Sequence, residues 1–304
     1  MDANDPNDKN DKFAQPMDRR RLVKGAGFAA AAGALTAGFA TTAKALPPGG
    51  PKPPPGQLTD ADILNFALNL EYLEAEYYLR ATTGGGLPSG DTTGVGTKGK
   101  VVGGSKVPFK NPALEQFAQE IARDEKAHVE FLRSALGSLA VAEPQIDLQT
   151  SFTTLARLAG IIGQNDTFNP FTGGRNFLLG AFIFEDVGVT AYHGAAPLIS
   201  NKDYLAAAAG ILGVEAYHAS EIRTLLYERA LFQPVQLISN LRAQASGAND
   251  DQGIVLDGVA NIVPADQNAI AFSRTPAQVL NIVYLGGAAS NFGFFPNKLN
   301  GNIK

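Results

Sequence analysis

The chain has 304 residues, 45% of them hydrophobic and 18% charged, with a formal net charge of −4 and no cysteine. That length can bury a sizeable core, while the missing thiols exclude disulfides, thiol nucleophiles and thiolate metal sites. An acidic balance with no basic patch argues against a nucleic-acid partner.

The N-terminal stretch Asp18-Arg19-Arg20-Arg21-Leu22-Val23-Lys24 leads into a weakly apolar Ala/Gly run to about Ala40, and then into Ala43-Lys44-Ala45. The run is short for a spanning helix, and the three parts read as the charged, apolar and small-residue regions of a cleaved leader. The first part resembles the twin-arginine export signal, with Asp18 where Ser or Thr is usual. That resemblance implies export of a folded, metal-loaded protein to a periplasmic or extracellular place. Residues 1–45 are therefore expected to be a signal peptide, with no membrane span left after cleavage. Their removal takes seven of the 25 Lys/Arg and five of the 29 Asp/Glu, leaving a net charge of −6. Residues 46–58, rich in Pro and Gly, read as an extended linker.

From there the apolar periodicity predicts an all-α bundle of four helices over 59–233. The first, Thr59 to Arg80, carries the stripe Leu64, Ala67, Glu71, Ala75, Tyr78. A Gly/Thr-rich insertion over 81–110, with a short β-like Lys100-Val101-Val102, is far longer than an ordinary bundle loop. The second helix has Leu114, Phe117, Ile121, Glu125, His128, Leu132 and Ala135 on one face. Residues 137–173 must cross to the third helix, with a short helix expected near 152–162. The third, Gly174 to about Ser200, repeats the pattern with Leu178, Ala181, Glu185, Val189 and Tyr192. The fourth aligns Ala208, Ile211, Glu215, His218, Ile222 and Leu225 and should stop or kink by Pro234. Residues 234–304 form a C-terminal extension: an amphipathic continuation over 235–245, then mostly irregular chain. A short helix from Pro276 to Tyr284 is expected there, capped by Thr275, and Phe294 and Phe295 should pin the tail to the bundle.

Two of the three histidines close the same motif, Glu125-Lys-Ala-His128 and Glu215-Ala-Tyr-His218. Residues three apart share a helix face, so each pair aims oxygen and nitrogen donors at one point. Glu71 and Glu185 interrupt apolar stripes, where a charge is costly unless a partner compensates it. The order Glu71, Glu125/His128, Glu185, Glu215/His218 is then one unit given twice, the ligand set of a carboxylate-bridged pair of divalent ions inside a bundle. Glu74 and Glu76 flank Glu71, but the second half has Gly188 and Thr190 at the matching places, which favours Glu71. Oxygen and imidazole ligands suit iron or manganese, and zinc less selectively. Without metal, the cluster should hold protons at raised pKa, because like charges at close range resist simultaneous ionisation. Tyr78 and Tyr192, two turns beyond Glu71 and Glu185, are placed to contact metal-bound carboxylates. His193 lies beside its stripe and reads as structural, and Glu221 as solvated.

This ligand order resembles the ferritin-like superfamily. Asp124-Glu125-Lys-Ala-His128 is similar to the Asp-Glu-x-x-His run of bacterioferritins, which implies that Asp124 supports a ligating His; Val214 precedes Glu215, so the second His is expected to find another partner. Asn261-Ile-Val-Pro-Ala-Asp266, Ala271-Phe-Ser-Arg-Thr-Pro276 and Phe294-Phe-Pro-Asn-Lys-Leu-Asn-Gly301 resemble the tail of the desiccation-related protein family, as does Leu64-Asn-Phe-Ala-Leu-Asn-Leu-Glu71 with its continuation to Tyr78. The resemblance implies a ferritin-like bundle with a long crossover and a role in stress or dehydration tolerance. Three functions are compatible with these readings. One is a di-metal oxidoreductase acting on small oxidants or ferrous iron, one a non-catalytic stress protein with a structural or vestigial metal site, and one iron storage in a closed shell. A homodimer is an assembly the sequence allows.

Overall fold

The computed structural model describes residues 58–287, 290 and 293–304. The expected signal peptide and all but the last residue of the expected linker lie outside them. Seven α-helices are found among the described residues: α1 Asp60–Thr83, α2 Pro112–Leu136, α3 Thr150–Leu158, α4 Gly174–Ala195, α5 Lys202–Glu228, α6 Phe232–Ser246 and α7 Pro276–Val283. The all-α reading therefore holds.

Local chemistry explains where the helices start. Thr59 and Asp62 form a reciprocal capping box at α1 (Thr59 N to Asp62 Oδ2 2.8 Å, Asp62 N to Thr59 Oγ1 3.0 Å), which satisfies donors the helix leaves free. Asn111 caps α2, with Pro112 at the first helical position, and Asn201 caps α5. Thr275 and Gln278 repeat the capping box at α7. The fourth bundle helix ends at Glu228, short of Pro234, where Ala230 takes a positive φ of 53°. Pro234 instead sits in the first turn of α6, where its missing N–H costs nothing.

The bundle is two helix pairs, α1 against α2 and α4 against α5, with α1 also meeting α4. On α2 the stripe departs from expectation at one place: Phe117 is 36% exposed and Ala118 is buried in its stead. The buried face is rotated by one residue there. On α1 and α4 burial runs round nearly the whole circumference, because the insertion, the crossover and the C-terminal extension cover what would be their outer faces. In the crossover a strand β2, Ile146–Leu148, pairs in parallel with β1, Val101–Gly103, inside the 81–110 insertion. A β3–β4 hairpin, Val255–Leu256 with Val259–Ala260, interrupts the otherwise irregular tail. Phe294 is held between Phe152 and Phe184, with ring centroids 5.1 and 4.9 Å away, so the tail is pinned through an edge-to-face cluster.

A buried ionic lattice ties the extension to the bundle. Arg223 of α5 and Arg242 of α6 both reach Asp186 Oδ2, at 2.8 and 2.7 Å. Arg242 also meets Asp251 at 2.8 Å, and Arg274 meets Asp250 at 2.9 Å and Asp251 at 2.8 Å. None of the three arginines is more than 1% exposed, and Arg242 lies 4.3 Å from the Phe182 ring centroid. Three guanidinium groups balance three carboxylates, which is what permits their burial. Among the described residues no helix is long and apolar enough to cross a membrane.

Candidate metal centre

The four bundle helices bring the two Glu-x-x-His motifs together. Glu71 comes from α1, Glu125 and His128 from α2, Glu185 from α4, Glu215 and His218 from α5; all are buried, the glutamates at most 1% exposed and the histidines 8% and 6%. Their donor atoms form two groups, Glu71, Glu125, His128 and Glu215 in one, Glu125, Glu185 and His218 in the other, with the atoms of each within 4.8 Å of one another. Glu125 belongs to both. Its Oε1 is 3.0 Å from His218 Nδ1 and its Oε2 is 3.6 Å from His128 Nδ1, so one carboxylate faces both imidazoles.

The donor set fits two cations. Among the described residues, eleven buried side-chain nitrogen and oxygen atoms have no hydrogen-bond partner, and eight of them belong to these six residues: Glu71 Oε2, both oxygens of Glu125 and of Glu215, Glu185 Oε2, and the Nδ1 atoms of His128 and His218. Buried polar atoms are nearly always satisfied. Eight left over at one point, all of them metal-ligating types, are what a pair of hard or borderline cations would satisfy.

Neighbours outside the set hold it in place. Tyr78 donates from α1 to Glu185 Oε1 and Tyr192 donates from α4 to Glu71 Oε1. Each tyrosine thus crosses to the carboxylate of the partner helix, a reciprocal arrangement that locks two ligand rotamers. Burial and the facing carboxylates push both phenols well above their ordinary range, so they stay neutral donors. Replacing Tyr78 by Phe should leave the fold intact and weaken metal binding about 10–100-fold, the usual cost of losing such an outer partner, as isothermal titration would show.

Asp124 Oδ2 lies 3.1 Å from Nε2 of His218, not of His128. The sequence reading left the second His in need of another partner; the acid preceding Glu125 is that partner. The carboxylate reaches from α2 to the imidazole on α5 and turns Nδ1 inward. His193 is apart from the centre, its Nδ1 3.2 Å from Phe272 O. Glu221 is half-buried near Glu228 and Glu120 rather than at the site.

The site's electrostatics set one carboxylate apart from the others. Burial, opposed by His128, leaves Glu71 raised to about 7, and burial also raises Glu185 and, with Glu125 adding to it, Glu215. Burial acts upward on Glu125 too, but the two imidazoles that face it, His128 and His218, outweigh burial and hold Glu125 below the ordinary range. Burial would lower His128, yet Glu71 and Glu125 push it up to about 12, and Glu185 and Glu125 likewise raise His218. The metal-free cluster is thus centred on one ionised carboxylate between two imidazolium rings.

The raised Glu71 carboxyl stabilises the metal-free fold below its unfolded value of 4.5, a contribution lost as pH rises through about 7, and the raised Glu185 and Glu215 act in the same direction. The raised imidazoles stabilise it below 6.5, losing their contribution from there toward about 12. Glu125 acts oppositely, but its share is already complete above 4.5. The melting temperature of metal-free protein should therefore fall between about pH 5 and 8, a window set by this linkage. Metal affinity should rise over the same window, about tenfold per pH unit for each proton displaced. Calorimetry with and without metal checks both.

Sequence reasoning set Glu74 aside in favour of Glu71. Glu74 is 5% exposed on α1, one turn from Glu71; burial and the facing Glu125, Glu185 and Glu71 carboxylates push it well above its ordinary range against the opposing effect of His218. The mirror position, Gly188, had counted against it. A methyl group at Gly188 would collide with Glu215 Oε2 and lie 3.5 Å from Glu74 Oε1. The glycine therefore makes room for Glu215, with Glu74 at ordinary contact distance beside it.

A ferritin-like domain matches residues 59–228, the span from the cap of α1 to the end of α5. The chain belongs to the ferritin-like family. Two relatives cover most of its length. The desiccation-related protein PCC13-62 of Craterostigma plantagineum is 30% identical over 245 residues, 73% of this chain and 76% of that one. The ferritin-like catalase Nec2 of Nesocodon mauritianus is 28% identical over 267 residues, 80% and 84% of the two chains. No solved structure matches the chain. The likeness to the desiccation-related protein places this ferritin-like chain in the same group, and the shares covered exceed the 59–228 bundle, so parts of its flanking segments are common to the relatives as well.

Proposed function

We propose that this ferritin-like protein is an exported dinuclear metalloprotein that consumes hydrogen peroxide, with iron or manganese as its working ions and protection during drying or related stress as its role. The observation that carries the reading is the convergence of eight unsatisfied buried donor atoms on two points that share Glu125. The catalase name of one relative supports peroxide as the oxidant. When bound, the pair of ions would supply the electron exchange by which one peroxide is oxidised to dioxygen and a second is reduced to water. The chain's residues do the rest. Glu125 faces both positions, Asp124 orients His218, the Tyr78 and Tyr192 hydroxyls hold Glu185 and Glu71, and the apolar surround keeps bulk water out.

The test is oxygen evolution from peroxide by the mature protein loaded in turn with iron, manganese and zinc. Turnover with iron or manganese and none with zinc supports the reading; no turnover with any of them, at two ions bound per chain, sinks it. Consumption of ferrous iron and dioxygen without peroxide turnover would make ferrous iron the substrate instead.

One observation favours a second reading, a metal that only stiffens the bundle: no ligand is more than 8% exposed. In that case zinc should raise the melting temperature as much as iron or manganese does, and peroxide should be left untouched. Export by the twin-arginine route is supported by residues 18–24 and 43–45. It predicts a mature N-terminus at Leu46, and retention of the precursor when Arg19 and Arg20 are both changed to Lys.

A further inference from the structure

The enclosure of the ligands raises the question of how an oxidant reaches them, and the following inference rests on the peroxide reading above. Between α1 and α4, under α7, lies a cavity of about 20 Å³, walled by Leu73, Ile183, Val187, Val283 and Phe294. Its volume slightly exceeds the roughly 10–15 Å³ that one water molecule occupies by this measure. Glu74 is the sole side chain among its lining residues with a hydrogen-bonding group, and Gly188 lines it too. A side chain at Gly188 would strike Glu215 Oε2 and lie 3.5 Å from Glu74 Oε1, so two residues of this wall, Glu74 and Gly188, adjoin the ligand set.

We propose that this cavity is the access chamber of the metal centre, and that Glu74 at its inner end receives a neutral molecule of two heavy atoms before it meets the ligands. Size and polarity select the class. A hydrated ferrous ion is too large for the space, and stripping its water against apolar walls would be costly. Hydrogen peroxide and dioxygen fit, and of the two only peroxide has an O–H to donate to the Glu74 carboxyl. The C-terminal extension thereby acquires a task, since α7 and Phe294 supply the outer wall.

Two variants separate entry from reception. Val283→Phe fills the chamber from α7, which carries none of the ligands; Glu74→Leu roughly keeps the bulk and removes the hydrogen-bonding group. Nitric oxide, a neutral diatomic, is the probe of entry, through its association rate with the mature, ferrous-loaded protein. Val283→Phe should keep the wild-type metal content while the nitric oxide association rate and the peroxide kcat/KM both fall, roughly tenfold or more for a blocked route. Glu74→Leu should keep metal content and nitric oxide entry and lose peroxide kcat/KM. An unchanged association rate in Val283→Phe, or in Ile183→Phe from the opposite wall should the first variant misfold, overturns the chamber even if wild-type peroxide turnover stands. Loss of metal from Glu74→Leu with the melting temperature of the metal-free protein unchanged overturns the assignment of Glu74, making it a ligand. A nitric oxide rate that Val283→Phe slows in a protein without peroxide turnover would uphold the chamber and defeat the peroxide reading.

Discussion

Glu125→Gln should empty both metal positions at once, whereas Glu71→Gln and Glu185→Gln should each weaken mainly one. Glu125 is the acid that both donor groups share, and an amide in its place offers one neutral oxygen and a pair of N–H donors where two cations are to sit. The loss should exceed the 10–100-fold in affinity that an outer partner such as Tyr78 or Asp124 supplies. Metal bound only to the folded state stabilises it by about 4 kcal/mol at a free concentration 1,000 times Kd, so the wild type should melt higher with metal and the variant should not. The metal-free variant should also melt below the metal-free wild type, because two raised imidazoles lose the carboxylate they face. Metal analysis on dialysed protein and paired melts measure all of this. Two ions per chain bound by Glu125→Gln with unchanged affinity would remove the shared carboxylate from the account.

The largest expected loss of stability lies far from the metal, at Arg274. Arg274→Ala leaves Asp250 without its guanidinium and Asp251 with Arg242 alone, both within a buried lattice. Breaking a buried ion pair from one side costs about 3–5 kcal/mol, which for a domain of this size corresponds to a drop in Tm of roughly 6–20 °C. Removing the partner too, as Arg274→Met with Asp250→Leu, should recover a good part of that loss, since the penalty comes from the stranded charge more than from the missing attraction. The backbone near Arg274 matters as well. Its N donates to Thr190 O at 2.9 Å, and a side chain at Gly194 would collide with its carbonyl. A single variant that melts within a degree of wild type would mean that the lattice contributes order but little free energy.

The helices and the four-element order were legible because their signals are local: capping residues, a 3.6-residue apolar period, and a Glu-x-x-His spacing that one helix face fixes. What the sequence left obscure depends on contacts between distant segments. Asp124 looks like a partner for the His four residues along its own helix, yet it serves His218 across the bundle. Gly188 at the mirror position tells against Glu74 in the sequence, though the glycine is there to admit Glu215 and carries no message about Glu74. α1 and α4 were read as helices with one apolar stripe; they are enclosed nearly all round by the insertion, the crossover and the tail, so a stripe could not rank the three glutamates of α1. Arg223, Arg242 and Arg274 carry no local mark of burial, because their carboxylate partners lie from 9 to 56 residues away in the chain. Which acid of the proton-holding cluster stays ionised was not legible, because Glu125 is held low by two imidazoles that converge on it from different helices.

The hold of the C-terminus on the first helix bears on the order in which the molecule is assembled. Asn300 N donates to Asn69 Oδ1 at 3.1 Å and its side chain reaches Thr97 and Ala142, while Asn302 bonds Asp62 Oδ1 at 2.7 Å. These contacts join residues 158 to 240 positions apart, the kind of closure that forms late because so much chain must first be threaded into place. During synthesis the four ligand-bearing helices are complete once Glu228 has emerged, whereas the segment that ties down α1 lies well downstream. A growing chain therefore has its ligand set in hand before the strap across its first helix can close.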